Sequence, residues 1–150
     1  MGFLIVKFIH ILAAIVAVGF NLSYVVWITR AQRDPAHETF ALKGIKFMDD
    51  RIANPAYGVL LLTGLLMVFL GGFSFTTLWI DVALVLYVVL IVLAVRFYTP
   101  SLREQIKLAE AGDTTSVAFV RLARTGRITG QALGLIVLVI LAMMVFKPHL

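Results

Sequence analysis

The stretch Leu78–Phe97, LWIDVALVLYVVLIVLAVRF, decides what kind of protein this is. It carries one acid near its start, Asp81, and one base near its end, Arg96, with an unbroken apolar run between them. A helix rises about 1.5 Å per residue, so a stretch of this length reaches roughly 30 Å, the thickness of a bilayer's hydrocarbon core. Working outward, residues 72–77 form a short uncharged link, and Gly71-Gly72 ends a preceding apolar run at about 55–73. The two runs predict a tight helical hairpin. Pro55 suits the first turn of its helix, where a missing amide hydrogen would have no intrahelical partner anyway.

Two further apolar runs, at about 3–28 and 128–146, complete a set of four. The first is interrupted by Lys7, His10 and Asn21. It lacks a basic leader, is too long for a signal peptide and has no small-residue cleavage pattern around Asn21–Tyr24, so retention is expected. The fourth is followed by Lys147-Pro148, and its helix is expected to begin earlier, near Thr115, and to project from the membrane.

Composition agrees. Of 150 residues, 61% are hydrophobic and 14% charged, against roughly 45–50% and about 25% in soluble proteins. A soluble domain of this size could not bury that surplus. There is no cysteine, which excludes disulfides, thiolate metal sites and cysteine nucleophiles. The net charge is +5, but the bases lie in stretches between apolar runs, so membrane lipids and not nucleic acid are the expected anionic partner.

The longer connections, 29–54 and 98–127, carry helical patterns of their own. Residues 38–52 interleave Phe40, Ile45, Phe47, Met48 and Ile52 with charges, as an interfacial helix does. Residues 102–111 are a second candidate, stopped by Gly112-Asp113. Neither holds enough apolar material for a separate core. Residues 1–150 therefore read as one integral membrane domain without internal repeats: an all-α, four-transmembrane-helix bundle with interfacial helical connections.

Charge placement gives this bundle an orientation. Arg30, Arg33, Lys43, Lys46 and Arg51 occupy the first connection, and Arg96, Arg103, Lys107, Arg121, Arg124 and Arg127 the third region. These are eleven of the thirteen bases, leaving Lys7 and Lys147 at the other end. The positive-inside bias predicts cytoplasmic long connections and periplasmic termini in a bacterial inner membrane.

Polar residues inside the runs are the candidates for function. His10 shares a helical face with Ala14, Ala17, Asn21 and Tyr24, spaced by fours and threes. The alanines leave room for a neighbouring helix, while His10 and Asn21 need polar partners. His10 is the only histidine in an apolar run, since His37 lies in the first connection and His149 at the carboxy end. An imidazole can donate from one nitrogen and coordinate iron with the other, making His10 the candidate metal and haem ligand. Met67 and Met143, expected at comparable depth, are candidate second ligands, with core filling as their ordinary role. Asp81 could accept a proton, pair with Lys7 or Lys147, orient His10, or simply sit at a helix N-terminus among headgroups. Tyr87 needs a hydrogen-bond partner if it faces inward, and Asn54, Tyr57 and Gly58 cluster at the entrance of the second run. Arg121, Arg124 and Arg127 suit lipid, a partner's acids or haem propionates. Gly126, Gly130 and Gly134 make a small face for close helix packing, within the chain in the first instance.

Lys7-Phe8-Ile9-His10, Pro55, Trp79 and the stretch from Arg121–Arg127 to Lys147-Pro148 resemble a family of uncharacterised four-helix bacterial integral membrane proteins. That resemblance spans nearly the whole chain and implies the fold without a reaction. The chain also resembles, more weakly, the haem-associated membrane protoporphyrinogen oxidase family, a likeness that would make His10 an axial ligand. That family's third-helix histidines and intramembrane lysine have no counterpart near Trp79, Asp81 and Tyr87.

With no nucleophile and no metal cluster in the pattern, no catalytic residue is assigned. The leading expectation is a noncatalytic membrane subunit or scaffold that packs against another membrane protein or a second copy. The alternative is a haem-binding redox protein using His10. A transporter or channel lined by Asn21, Asp81 and Tyr87 is a third, for which four helices in a monomer are few.

Overall fold

In the computed structural model, which describes residues 1–148, the chain forms helices and no strand among the described residues. His149 lies outside them. The helices are α1 (Gly2–Ala31), α2 (Glu38–Met48), α3 (Asn54–Gly71), α4 (Leu78–Leu93), α5 (Thr99–Glu110) and α6 (Val117–Phe146). A single 3-10 turn, Pro35–His37, precedes α2. Four helical stretches are long and apolar enough to cross a membrane: Gly2–Ala31, Glu38–Gly71, Leu78–Glu110 and Val117–Phe146.

Local chemistry sets most of the ends. Gly72 stops α3 in the left-handed conformation (φ 65°), and the Phe73 amide then bonds back to the Val68 carbonyl at 3.1 Å. Gly112 follows α5 in the same region (φ 78°). The Ser116 hydroxyl caps α6 by accepting from the Phe119 amide at 3.1 Å, and the Asp113 carboxylate accepts from the Ser116 amide at 3.0 Å.

One expectation is corrected. Pro55 does stand in the first turn of α3, but that helix is not a separate one: α2 runs into α3 through a π turn, Asp49–Ala53, and α4 runs into α5 through another, Ala94–Tyr98. Each π turn ends one residue before an X-Pro pair, Asn54-Pro55 and Thr99-Pro100. A proline has no N–H to give and its ring crowds the carbonyl four residues back. Widening the turn relieves that crowding, and the residue before each proline bonds five residues back, Asn54 to the Asp49 carbonyl and Thr99 to the Ala94 carbonyl.

α1 packs on α3, α4 on α6, and α5 on both α6 and α2. Two buried clusters hold the ends together. At the end of the π turns, Tyr24, Leu42, Ile45, Ala53, Tyr98, Leu102, Ala109 and Phe119 pack together. At the end of the termini, Val68, Trp79 and Ile80 pack with Leu84, Met143 and Met144. Between them the outer faces stay apolar and open, as with Leu4, Phe8, Ile15 and Leu22 on α1 and Leu135, Leu138 and Val145 on α6. Such faces require lipid as solvent.

A candidate functional site along the polar seam

Polar side chains on α1 find their partners on α3. His10 Nδ1 lies 2.8 Å from Thr63 Oγ1, and the Thr63 hydroxyl donates its own hydrogen to the Val59 carbonyl at 2.6 Å. With that hydrogen committed, Thr63 can only accept from His10. The network thus assigns the proton to Nδ1 and leaves the lone pair on Nε2. Gly64 allows the approach: a Cβ there would stand 3.2 Å from His10 Cε1.

Further along α1, Asn21 donates from Nδ2 to the Ala17 carbonyl at 3.0 Å and, in a short bond, to the Tyr57 hydroxyl. The Tyr87 hydroxyl on α4 donates to the Tyr57 carbonyl at 2.7 Å. Tyr57 is therefore the joint of three helices, receiving α1 through its phenol and α4 through its backbone. Every group in this seam is neutral, and each bond removes a polar group from contact with hydrocarbon.

The seam ends at the π turns in a charged group. Asp49 is 8% exposed, and its Oδ2 accepts from Asn54 Nδ2 at 3.4 Å. Tyr24, Tyr57 and Tyr98 stand within electrostatic reach of this carboxylate. The Tyr24 hydroxyl is buried without a hydrogen-bond partner among the described residues. Asp49, Thr63, Gly64 and Tyr98 were not among the sequence candidates. The Asn-Pro and Thr-Pro pairs are the signal that marks this place, since they force the π turns that bring Asp49 and Tyr98 inward.

The remaining candidates fall elsewhere. Met67 is half-buried, one turn beyond Thr63 on α3, whereas Met143 packs with the Val68, Trp79 and Ile80 cluster. Asp81 is exposed in the first turn of α4, with its amide bonded to the Thr77 carbonyl at 3.0 Å and no side-chain bond among the described residues. It does not orient His10, whose Nδ1 is held by Thr63. Nor does it hold Lys147, whose ammonium lies over the Trp79 ring at 5.3 Å and the Phe73 ring at 6.0 Å. Arg121, Arg124 and Arg127 are exposed along α6.

Ala17 is fully buried and Ala14 half-buried, so the small face of α1 is used for packing. The glycine face of α6 is used differently from expectation. A Cβ on Gly126 or Gly134 would meet nothing within 4 Å, and one on Gly130 would meet Tyr98 Cε2 at an ordinary 3.7 Å. No second backbone of this chain comes close there. Among the described residues no group of three or more His, Asp or Glu side chains could hold a metal ion.

Fold and seam define a multi-pass integral membrane protein with four candidate spans. The chain belongs to the family described as predicted integral membrane protein (DUF2269), whose model matches residues 4–148. It matches no curated protein and no solved structure.

Proposed function

We propose that the chain is a noncatalytic membrane subunit or scaffold, packing through α6 against a second copy of itself or another membrane protein. The observation that carries this reading is the open face at Gly126 and Gly134, which no atom of the chain's own neighbours fills. Helices in lipid associate by close van der Waals approach, and such a face offers that approach to a partner. The seam supports the same reading, since His10 bonds Thr63 while Asn21 and Tyr87 both bond Tyr57, tying α1, α3 and α4 together.

A second reading rests on His10 alone. An imidazole tied at Nδ1 by Thr63 can offer its other nitrogen to a metal, as metal-ligating histidines do. A haem-linked redox protein would take His10 as one axial ligand, with Met67, Met143 or a partner's residue as the other, and haem would supply electron transfer at iron. The fit is partial, because the His10 ring also rests against Gly64.

Gentle detergent extraction followed by native mass and an optical spectrum separates the two. The subunit reading expects a colourless particle heavier than one chain, reduced to a single chain by Gly126→Leu with Gly134→Leu. A monomeric, partner-free preparation that turns over a substrate would overturn it. A Soret band present in wild type and lost in His10→Ala would establish the second reading in its place.

The basic end of the bundle is proposed to face the cytoplasm of a bacterial inner membrane, with the termini periplasmic. The excess of Lys and Arg there supports this. The absence of native cysteine makes single-cysteine labelling clean. Ala36→Cys and Ala111→Cys are expected to be shielded from an impermeant maleimide in intact cells, and Thr76→Cys to react. The reverse pattern would invert the topology.

A further inference from the structure

Where α1 leaves its apolar run, a half-open cleft of ≈ 520 Å³ opens between α1 and the start of α2. Its walls are of two kinds. Trp27 and Phe40 form an apolar side, their ring centroids 6.3 Å apart and tilted by 47°. Arg30 and Arg33 form a basic rim, beside Asp34 and His37. Asp34 makes no ion pair with either arginine: its Oδ2 is held by His37 Nδ1 at 2.8 Å. Among the described residues neither guanidinium has an ion-pair partner.

We propose that this cleft is a binding site for an anionic phospholipid, with the phosphate between the Arg30 and Arg33 guanidiniums and an acyl chain against Trp27 and Phe40. Three features argue for that occupant. The planar guanidinium matches phosphate oxygens in a two-pronged geometry that a lysine could not reproduce. The apolar wall continues the lipid-facing surface of α1, where Val25 and Val26 are open, so a chain leaving the cleft enters hydrocarbon directly. Tryptophan at the end of a span sits at headgroup depth, which is where a lipid phosphate lies. A soluble anion would use the rim and leave the aromatic wall idle. The inference depends on the chain residing in a bilayer and not on the subunit reading.

Trp27 itself reports occupancy. With Trp79→Phe, it is the sole tryptophan of the full chain. That protein is reconstituted into phosphatidylcholine vesicles in which a rising fraction of lipid is brominated phosphatidylglycerol or brominated phosphatidylcholine, and quenching of Trp27 is measured. Phosphatidylglycerol is expected to quench well beyond its mole fraction. Arg30→Gln and Arg33→Gln are each expected to reduce the preference roughly five-fold, about what one basic residue contributes near an anionic surface. Both arginines are exposed, so neither substitution disturbs packing. Arg103→Gln, an exposed base elsewhere, is expected to leave the preference unchanged. Equal quenching by the two lipids would overturn the proposal. So would an equal loss with Arg103→Gln, which indicates bulk surface charge, or release of quenching by millimolar inorganic phosphate, which indicates a simple anion site.

Discussion

Ile45→Ala is expected to lower the stability of the purified protein by about 2–5 kcal/mol, the range for truncating a buried branched side chain to alanine. For a chain of this size that is a fall of roughly 5–15 °C in Tm. Ile45 is the largest fully buried side chain among the described residues, and it sits on α2 in the cluster with Tyr24, Leu42, Tyr98, Leu102 and Phe119. The environment explains why the effect is large here. Along the spans, lipid solvates an apolar side chain as well as a neighbouring helix does, so burial contributes little. The α2–α5 layer carries Lys43, Glu110, Lys107 and Glu104 on its outside, with Lys43 and Glu110 paired at 2.8 Å and Lys107 and Glu104 at 2.6 Å. Its outer surface faces water or headgroups, so removing Ile45 from water stabilises in the ordinary way. Thermal unfolding in detergent checks this, with Ile15→Ala as comparator. Ile15 is 64% exposed on the lipid-facing side of α1 and its truncation should cost far less. Equal losses from the two would mean that the α2–α5 layer does not anchor the fold.

The spans were legible because hydrocarbon imposes one requirement, a long apolar run, and the runs around Leu78–Phe97 meet it without help from tertiary context. The interfacial helices were legible for a related reason, their apolar residues recurring at helical spacing among charges. Partner choice was not. His10 and Asn21 announce a need for polar neighbours, but which residue answers depends on the register of α1 against α3. Thr63 gives no sign of its role, since any threonine in a helix can satisfy itself on the carbonyl four residues back, as Thr63 does on Val59. Asp49 was hidden for a different reason. It stands beside Asp50, which is exposed, in a stretch that reads as the charged face of an amphipathic helix. The π turn holds one residue more than an α turn, so the face of α2 does not continue in phase into α3. A period of 3.6 carried across Asp49–Ala53 puts side chains on the wrong side. The glycine face of α6 shows the converse: its spacing predicts close approach within the chain, but no second backbone of the chain comes near Gly126 or Gly134 among the described residues, because spacing carries no information about what faces it.

Ala17→Leu is expected to cost about 2–4 kcal/mol by separating α1 from α3. Ala17 is fully buried, and its carbonyl accepts from Asn21 Nδ2 at 3.0 Å. Three added carbons have no space to enter, and overpacking of this kind costs about 1–3 kcal/mol. The two ties on either side, His10 to Thr63 and Asn21 to Tyr57, then lengthen together, because α1 moves as a rigid rod. Hydrogen bonds between membrane helices average roughly 0.6 kcal/mol each, so their loss adds about 1 kcal/mol. The split between the terms is measurable. In the wild-type background a double-mutant cycle of Asn21→Leu with Tyr57→Phe should report a favourable coupling, and in the Ala17→Leu background that coupling should vanish. Ala14→Leu, at a half-buried position on the same helix, should lower Tm less and keep the coupling. If Ala17→Leu left both Tm and the coupling intact, α1 would not be held by the seam. His10, Asn21 and Tyr57 would then lose the structural role that the subunit reading gives them.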